Sequence, residues 1–514
     1  MGNLSKDVQE SIDNHSKPLS GASGRGPRAP RGGCQDAPEG GSLGIYAKLR
    51  TPPMQVIDFS TGEVATQGKL SERESVVEAR RLRFRLQDAS RRILYSFHGD
   101  NVPLDRKGRE KHHRTCSCNR SVISPTVQIV KSTEHKKAFF SGVATCANAR
   151  VCPVCAAPIN ERKANEMRTA ANQREALGVH FSLLTFTAPH NSGDKIEDLI
   201  PKISQSLQGF WRGNPAKKFK ERYGIIGNIR SFEVRYGSNG WHPHFHIIIV
   251  SRNELPQTKR DSNYKPLPSS SQSDDWSWVL ERWQTMCVKS GLDCPNEYGL
   301  DIQGGNEAGE YITKFGGDGE ILQTKSGKSV TWDMMDELTK GNVKSGRNGS
   351  LSPWDLLSLS VDGSTPEERQ KSKTLFLFYA RAMKGVTQIK WSRGLRDFFG
   401  LGAELSDEEI LAKEEDTADL LCHVTPIEWK YVIGNDLRHV LIELAENGGS
   451  EAVARFLFSV TAKGDFDVYY DHFKKRSECH NSFDDEDSTR LVSSYSLSAG
   501  HSARVKPVVY GGEG

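Results

Sequence analysis

The chain has 514 residues, a formal net charge of +4 and ten cysteines. This length allows two or three compact units, and so small a net charge does not by itself indicate a nucleic-acid partner. The longest apolar runs are too short to span a bilayer, and the first ten residues lack the apolar core of a secretion signal. We therefore expect a cytoplasmic protein with no membrane partner.

Composition and hydrophobic periodicity divide the chain into five segments. A head rich in Gly, Pro, Ser and Arg shows no apolar period and is expected to be largely disordered. A basic helix, a cysteine-rich segment, alternating strands and helices, and further short helices follow it. The predicted segments are residues 1–70 (disordered head), 71–175 (basic helix and cysteine-rich segment), 176–320 (strand-rich core), 321–415 (helical extension) and 416–514 (small C-terminal region and loose tail).

The first predicted helix runs from about Glu72 to Phe97 and is strongly basic. Its arginines alternate with leucine, isoleucine and phenylalanine, which is typical of a helix that packs one face and leaves a cationic surface. Two interpretations of that surface stay open, a solvated face and a phosphate-binding face. The arginines are Arg80, Arg81, Arg83, Arg85, Arg91 and Arg92.

Five of the ten cysteines lie between Cys116 and Cys155. In a chain of this size, such clustering indicates a metal site rather than a disulfide framework. The pair Cys152 and Cys155, together with Cys146 upstream, has a spacing typical of zinc, and five reduced structural thiols are the alternative. The candidates for the fourth ligand are Cys116, Cys118, His112 and His113.

The stretch GWHPHFHIIIV places three histidines at alternate positions. Alternation is the period of a strand, so His242, His244 and His246 are expected on one face of the sheet. Unpartnered polar groups are costly to bury, and a row of imidazoles therefore favours a metal site over an ordinary core. The alternative is an exposed sheet face whose histidines are unrelated.

The preceding stretch NIRSFEVRYGSNGW supplies a candidate third ligand. If Ser238 and Asn239 form a two-residue hairpin turn, Glu233 lies directly opposite His244. Glu233, His244 and His246 then converge, and this ligand set suits Mg²⁺ or Mn²⁺ with positions left for substrate oxygens. The prediction depends on the register, because a slip of one residue would turn Glu233 to the other face. His242 shares the face, but its role is left undecided.

Downstream, YGLDIQGGNEAGEYITKF predicts a short strand and then a helix that begins after Asn306. Glu307, Tyr311 and Lys314 lie three and four residues apart, so they share one helix face. A tyrosine can attack phosphorus when a metal polarises the phosphate, and a lysine can stabilise the phosphate charge. The alternative is an ordinary surface Glu–Lys pair beside a half-buried tyrosine.

Together these motifs resemble those of the rolling-circle replication initiators (Rep) of small plasmids, which belong to the HUH endonucleases. WHPHFH resembles the family's metal motif, LLTFTAP its first motif, and the stretch from Glu307 to Lys314 the nucleophile motif of its single-tyrosine branch. The cysteine run from Cys146 to Cys155 also resembles a segment found in family members. The resemblance covers about residues 114–400. It implies an α+β fold, a ferredoxin- or RRM-like antiparallel sheet with a preceding or inserted zinc-binding segment and a helical C-terminal region.

The resemblance also implies an activity and partners. Tyr311 would be the nucleophile that nicks and rejoins single-stranded plasmid origin DNA, Glu307 the activator of water, and Lys314 a phosphate contact. Mg²⁺ or Mn²⁺ would be the catalytic cofactor and Zn²⁺ a structural one, with a host helicase and DNA polymerase as partners. The alternatives are an HUH transposase or relaxase and, in a different class, a zinc-containing DNA-binding regulator without catalysis.

Overall fold

A computed structural model describes residues 55–57, 64–66, 72–133, 137–262, 265–304, 350–416 and 418–461. Most of the head predicted to be disordered lies outside these residues, and the part within them is two paired three-residue strands. The predicted helix with Glu307, Tyr311 and Lys314 also lies outside them, as does the predicted loose tail.

The described residues form ten strands and twelve α-helices. The strands are β1 (Gln55–Ile57), β2 (Val64–Thr66), β3 (Val127–Ser132), β4 (Ala138–Ser141), β5 (His180–Thr187), β6 (Ile225–Gly237), β7 (Gly240–Ser251), β8 (Leu300–Gly304), β9 (Ile389–Trp391) and β10 (Ala418–Val424). The helices are α1 (Glu72–Leu94), α2 (Pro153–Asn172), α3 (Arg174–Leu177), α4 (Ile196–Phe210), α5 (Gly213–Tyr223), α6 (Asp274–Lys289), α7 (Pro353–Asp362), α8 (Pro366–Ala382), α9 (Leu395–Phe398), α10 (Asp407–Asp416), α11 (Pro426–Gly434) and α12 (Arg438–Thr461).

A five-stranded antiparallel sheet in the order β8-β5-β7-β6-β9 places the histidine strand β7 at its centre. The long hairpin β6–β7 closes through Ser238 and Asn239, so that Gly237 pairs with Gly240 as predicted. Gly240 has φ +84, and a Cβ there would lie 2.8 Å from the carbonyl oxygen of Asn191. This position therefore requires glycine, which fixes where the hairpin turns.

The two faces of this sheet pack against different layers, as the period of two along β7 requires. On one face, Phe245, Ile247 and Ile249 join a core that contains buried tryptophans of α6 and apolar residues of α4. On the other, Ile248 and Val250 pack with alanines of α2 and with β9. His244 and His246 have the parity of Ile248, so they lie on the α2 side of the sheet.

A second antiparallel sheet joins distant parts of the chain in the order β10-β3-β4. Strand β3 comes from the cysteine-rich segment, and β10 from the C-terminal region almost 300 residues later. Helices α11 and α12 cover this sheet with Trp429, Leu441 and Leu457, and α12 is interrupted at Gly449. The expected α+β class with antiparallel sheets is thus confirmed. In the described part of the chain, no helix combines the length and apolarity that a membrane span needs.

Candidate metal centres

Glu233, His244 and His246 converge on the central hairpin of the five-stranded sheet. Glu233 is the cross-strand partner of His244, as the turn chemistry predicts. Its Oε2 atom lies 3.2 Å from Nε2 of His244 and 3.5 Å from Nε2 of His246. Adjacent ligands of an octahedral ion with bonds near 2.1 Å are about 3 Å apart, so these atoms can hold one cation among them. All three side chains are buried, with 6–7% of their surface exposed.

Hydrogen bonds orient both imidazoles toward the carboxylate. Nδ1 of His244 lies 3.3 Å from the carbonyl oxygen of His242, and Nδ1 of His246 lies 3.0 Å from Oγ1 of Thr185. A carbonyl oxygen can only accept, so Nδ1 of His244 carries a proton and its Nε2 is the ring nitrogen that faces the carboxylate. The contact between Nδ1 of His246 and Thr185 likewise leaves Nε2 of His246 facing Glu233. Such partners fix the tautomer of metal-binding histidines.

The carboxylate of Glu233 is ionised, and its two oxygens have different partners. Burial alone would raise its pKa, but attraction and hydrogen bonds from His244 and His246 hold the pKa well below its usual range. Nη1 of Arg235 donates to Oε1 at 3.0 Å, which leaves Oε2 facing the imidazoles. Arg235 is itself held by the hydroxyl and carbonyl of Ser350. Glu233 is therefore arranged to offer a single oxygen to a cation.

His242 lies beside this group but outside it. Its ring stacks on His190, with centroids 4.7 Å apart and planes inclined by 15°. Burial first, and then the neighbouring His244 and His190, lower the pKa of His242 to about 3. At this site the ligand atoms of Glu233, His244 and His246 lie within 4.8 Å of one another, and His242 is not a member of the group.

Four cysteine sulfurs form a second candidate metal centre. Sγ of Cys118 lies 3.7 Å from that of Cys152 and 3.5 Å from that of Cys155, and Sγ of Cys146 lies 3.7 Å from that of Cys155. Sulfurs of a tetrahedral thiolate site with 2.3 Å bonds are about 3.8 Å apart. All four thiols are free and buried. Hydrogen bonds from Cys146, Cys152 and Cys155 lower the pKa of Cys118, whereas the contact with Cys118 raises the pKa of Cys146 and burial raises that of Cys152.

The fourth member of the cluster is Cys118, and the other three candidates lie elsewhere. Cys116 ends a short 3-10 turn (Arg114–Cys116), and its thiol lies 3.6 Å from the carbonyl oxygen of Arg91. The ring of His112 stacks on Tyr95, and Nδ1 of His113 accepts from the amide of Thr115. Of the five cysteines predicted, Cys116 is thus the one that the geometry leaves out.

Two amides surround the sulfur cluster. Nε2 of Gln87 lies 3.4 Å from Sγ of Cys152, and Nδ2 of Asn119 lies 3.6 Å from Sγ of Cys118. N–H groups directed at sulfur stabilise negative charge on a thiolate. Gln87 comes from α1, so the predicted basic helix contacts the cluster directly.

The sequence patterns did not identify several residues that support these centres. Thr185 lies in the predicted strand LLTFTAP, but its role depends on the pairing of β5 with β7, which sets it opposite His246. Arg235 lies two residues after Glu233 and therefore shares its strand face, so the strand period alone could have placed it beside the carboxylate. Arg150 lies inside the cysteine run, and its guanidinium donates to the carbonyls of Phe232 and Thr387. Its partners come from distant segments and give no local signal.

Comparison with known proteins identifies curated relatives. A protein named Protein rep from Streptomyces lividans is 26% identical over 351 aligned residues, which cover 58% of this chain and 74% of that protein. A neomycin resistance protein from Streptomyces cyanogenus is 28% identical over 170 residues and is covered over 38% of its length. A Protein rep from a Bacillus species is 27% identical over 106 residues, or 33% of its length. No protein-family model matches the chain, and no solved structure matches it.

The fold and the two centres define an α+β protein with one cluster of four cysteines and one Glu/His/His group suited to metal binding. Among curated proteins, this chain is similar to those named Protein rep. The resemblance to Rep proteins that the motifs indicate is therefore confirmed. The names of these relatives do not specify the HUH branch.

Proposed function

We propose that this chain initiates rolling-circle plasmid replication as a single-tyrosine HUH endonuclease that nicks and rejoins single-stranded origin DNA. The observation that carries the proposal is the cross-strand placement of Glu233, whose Oε2 lies within 3.5 Å of both His244 and His246 on a central strand. The similarity to Rep proteins supports the same class of activity. We also propose that the five-stranded sheet has the ferredoxin-like arrangement that this class implies.

The donor sets suggest which metal each centre takes. One carboxylate oxygen and two imidazoles suit Mg²⁺ or Mn²⁺, and such an ion would polarise the scissile phosphate. Four buried thiolates suit a structural Zn²⁺, because closed sites with four sulfurs leave no position for substrate. Cys118, Cys146, Cys152 and Cys155 would therefore stabilise the fold rather than take part in the chemistry.

The reaction that we propose proceeds through a covalent linkage to Tyr311. The phenol of Tyr311 gives up its proton as its oxygen attacks the phosphorus of the scissile phosphodiester, the bond from phosphorus to the 3′-oxygen breaks, and that oxygen takes up a proton. The products are a 5′-phosphotyrosine and a free 3′-OH, which a host polymerase can extend. The reverse attack by a 3′-OH restores the DNA, because one phosphodiester has only replaced another.

Glu307 and Lys314 have supporting roles in this proposal. Glu307 would help a water molecule cleave the regenerated site after one round, since a second tyrosine is not placed four residues before Tyr311. Lys314 would contact the phosphate as its charge builds up. Plasmid origin DNA would be the substrate, and a host helicase would open the duplex ahead of the polymerase.

A labelled-strand assay tests the proposal. Single-stranded oligonucleotides that tile the DNA next to the gene are incubated with the full chain and Mn²⁺, each with a label at the 3′ or the 5′ end. We expect a 3′-labelled oligonucleotide to yield a covalent protein adduct, and its 5′-labelled counterpart a shorter free strand. Tyr311→Phe is expected to abolish both products, and EDTA to prevent them.

Matched variants separate the chemistry from general damage. Tyr298→Phe changes an exposed tyrosine near the same sheet and is expected to cleave normally. His246→Ala is expected to lose cleavage, whereas His180→Ala, at the exposed start of β5, is expected to retain it. DNA binding without any adduct on all tiled oligonucleotides would contradict the nuclease and favour a zinc-containing regulator. An adduct that persists in Tyr311→Phe would contradict the assignment of the nucleophile.

A further inference from the structure

A cavity of about 850 Å³ is lined mainly by helices α1 and α8, with further residues from the end of α7 and from the turn between α11 and α12. On α1 its lining residues recur every three or four positions, and on α8 Gln370, Lys373, Thr374 and Leu377 do the same. Each helix therefore presents one continuous face. We call this cavity the arginine groove, after the arginines that α1 contributes, which are Arg81, Arg85, Arg91 and Arg92.

The groove concentrates positive charge. Its 18 lining residues include six cationic side chains and two acidic ones, Asp88 and Asp436, which is a net charge of +4. The whole chain of 514 residues carries the same net charge. So strong a local excess at a concave surface indicates an anionic partner, because like charges held together repel unless a counter-charge approaches.

Several of these cations are available to a ligand. Arg92 and Lys373 are exposed, and neither has an acidic partner within ion-pair distance in the described part of the chain. Arg81 lies 3.6 Å from Glu78, and more than half of its side chain is exposed. Exposed pairs of this kind contribute little free energy, so a phosphate can displace them. At least three cations can therefore turn toward an incoming anion.

The acidic residues of the groove are already engaged beneath it. Asp88 accepts a hydrogen bond from Arg120 at 2.8 Å and forms an ion pair with the fully buried Arg438 at 3.1 Å. Arg438 also donates to Gln87 at 2.8 Å, and Gln87 in turn contacts Cys152 of the sulfur cluster. This network engages Asp88 and fixes α1 on the cluster, while Asp362 at the edge of the groove pairs with Arg85. At 100° per residue, Gln87 points roughly away from Arg81, Arg85 and Arg92.

The residue types in the lining also indicate whether the groove suits single-stranded or double-stranded nucleic acid. None of the described lining residues of the groove is aromatic. Proteins that bind single strands combine positive charge with aromatic rings on which bases stack, whereas contacts to a duplex backbone need cations alone. Arginine binds phosphate through two parallel hydrogen bonds, which suits a backbone of regular spacing. The features of the groove favour a duplex.

We propose that the arginine groove binds the sugar-phosphate backbone of double-stranded DNA, with the sulfur cluster as the scaffold that holds α1 in place. The inference goes beyond the proposed nicking, because the groove would bind duplex whether or not Tyr311 cleaves single strands. The phosphate-binding interpretation of the basic helix is thereby chosen over the solvated one. The contacts are to backbone, so we expect little dependence on base sequence.

Fluorescence anisotropy on the full chain tests this proposal. The probes are a labelled duplex of about 30 base pairs of mixed sequence and one of its strands, each titrated at several salt concentrations. The groove variant combines Arg81→Ser, Arg92→Ser and Lys373→Ser, which are surface changes with small effects on folding. The matched control removes the same charge elsewhere, with Lys218→Ser, Lys289→Ser and Arg393→Ser, all of them exposed.

We expect the groove variant to bind duplex at least tenfold more weakly than the wild type. Three lost phosphate contacts should also reduce the slope of log K against log salt by about 2 to 3. The control should change affinity by less than about threefold. Equal losses in both variants would overturn the proposal, and so would a loss confined to the single strand. Nicking of single-stranded oligonucleotides by the groove variant is expected to continue, which keeps this test separate from that of the proposed nuclease.

Discussion

Arg150 links the cysteine cluster to the five-stranded sheet, and its removal is a sharp test of the fold. It lies between Cys146 and Cys152 and is buried, with 6% of its surface exposed. Its guanidinium donates to the carbonyls of Val386 at 3.1 Å, Phe232 at 3.2 Å and Thr387 at 3.0 Å. Phe232 precedes the candidate ligand Glu233, so Arg150 also supports the strand that carries the carboxylate.

The hydrogen bonds of Arg150 determine how much stability Arg150→Ala is expected to lose. Each hydrogen bond from a charged donor contributes about 1.5–3 kcal/mol, and three are lost. Part of this is offset, because the buried guanidinium no longer has to be desolvated, and burial already lowers its pKa. Water entering the vacated space can also reach the carbonyls. We expect a net loss of about 2–4 kcal/mol in the free energy of unfolding, and a smaller loss of about 1–2 kcal/mol for Arg150→Lys.

Urea unfolding followed by tryptophan fluorescence measures these losses. Arg393→Ala is the matched control, because that side chain is exposed, and its effect should stay within about 0.5 kcal/mol. The affinity for Mn²⁺ should also fall in Arg150→Ala, since Phe232 loses its hydrogen bond next to Glu233. A loss below about 1 kcal/mol with unchanged Mn²⁺ affinity would refute the proposed linkage.

Three further predictions concern the two centres and their surroundings. Cys118→Ser should lose bound zinc in atomic emission measurements, whereas Cys116→Ser should retain it; equal retention would contradict the four-cysteine geometry. Thr185→Val should weaken Mn²⁺ binding about 10- to 100-fold in calorimetry, because His246 loses its Nδ1 partner. Burial lowers the pKa of His113 to about 4, so stability should fall as pH drops from 6.5 to 4; His113→Asn should flatten this slope in pH-dependent unfolding.

The sign of the pH effect follows from proton binding. The unfolded chain protonates His113 near pH 6.5, while the folded chain resists protonation down to about pH 4. Burial is the main cause, and the nearby His98, Arg114 and Lys384 add repulsion. The unfolded state therefore binds more protons within this window, and lowering the pH favours it. The stabilising contribution is fully present above about pH 6.5.

The hairpin of the Glu/His/His group was predictable because its information is local. Gly-Ser-Asn-Gly restricts the turn to two residues, and the strand period then sets Glu233 against His244 without any distant contact. The periods of FSLLTFTAP and DLIPKISQSLQGFWRG likewise indicate a strand and a helix, which correspond to β5 and α4. The role of Thr185 was not predictable, because its pairing with His246 depends on the order of strands within the sheet.

The cysteine cluster and the second sheet show where local information ends. Cys116 and Cys118 are separated by one residue, and the turn that sends one thiol toward Arg91 and the other toward the cluster has no sequence signature. The pairing of β10 with β3 joins segments almost 300 residues apart. Hydrophobic patterns identify such strands but do not choose their partners. The role of Arg150 was hidden for the same reason.

Peptide mapping of the covalent product tests the central claim most directly. After reaction with the cleavable oligonucleotide and Mn²⁺, the full chain is digested with nuclease and protease and analysed by mass spectrometry. We expect a nucleotide attached through a phosphotyrosine at Tyr311, formed by wild type and His180→Ala and absent from Glu233→Ala and His246→Ala. A nucleotide on any other residue, or an adduct that forms equally well without Glu233 and His246, would contradict it.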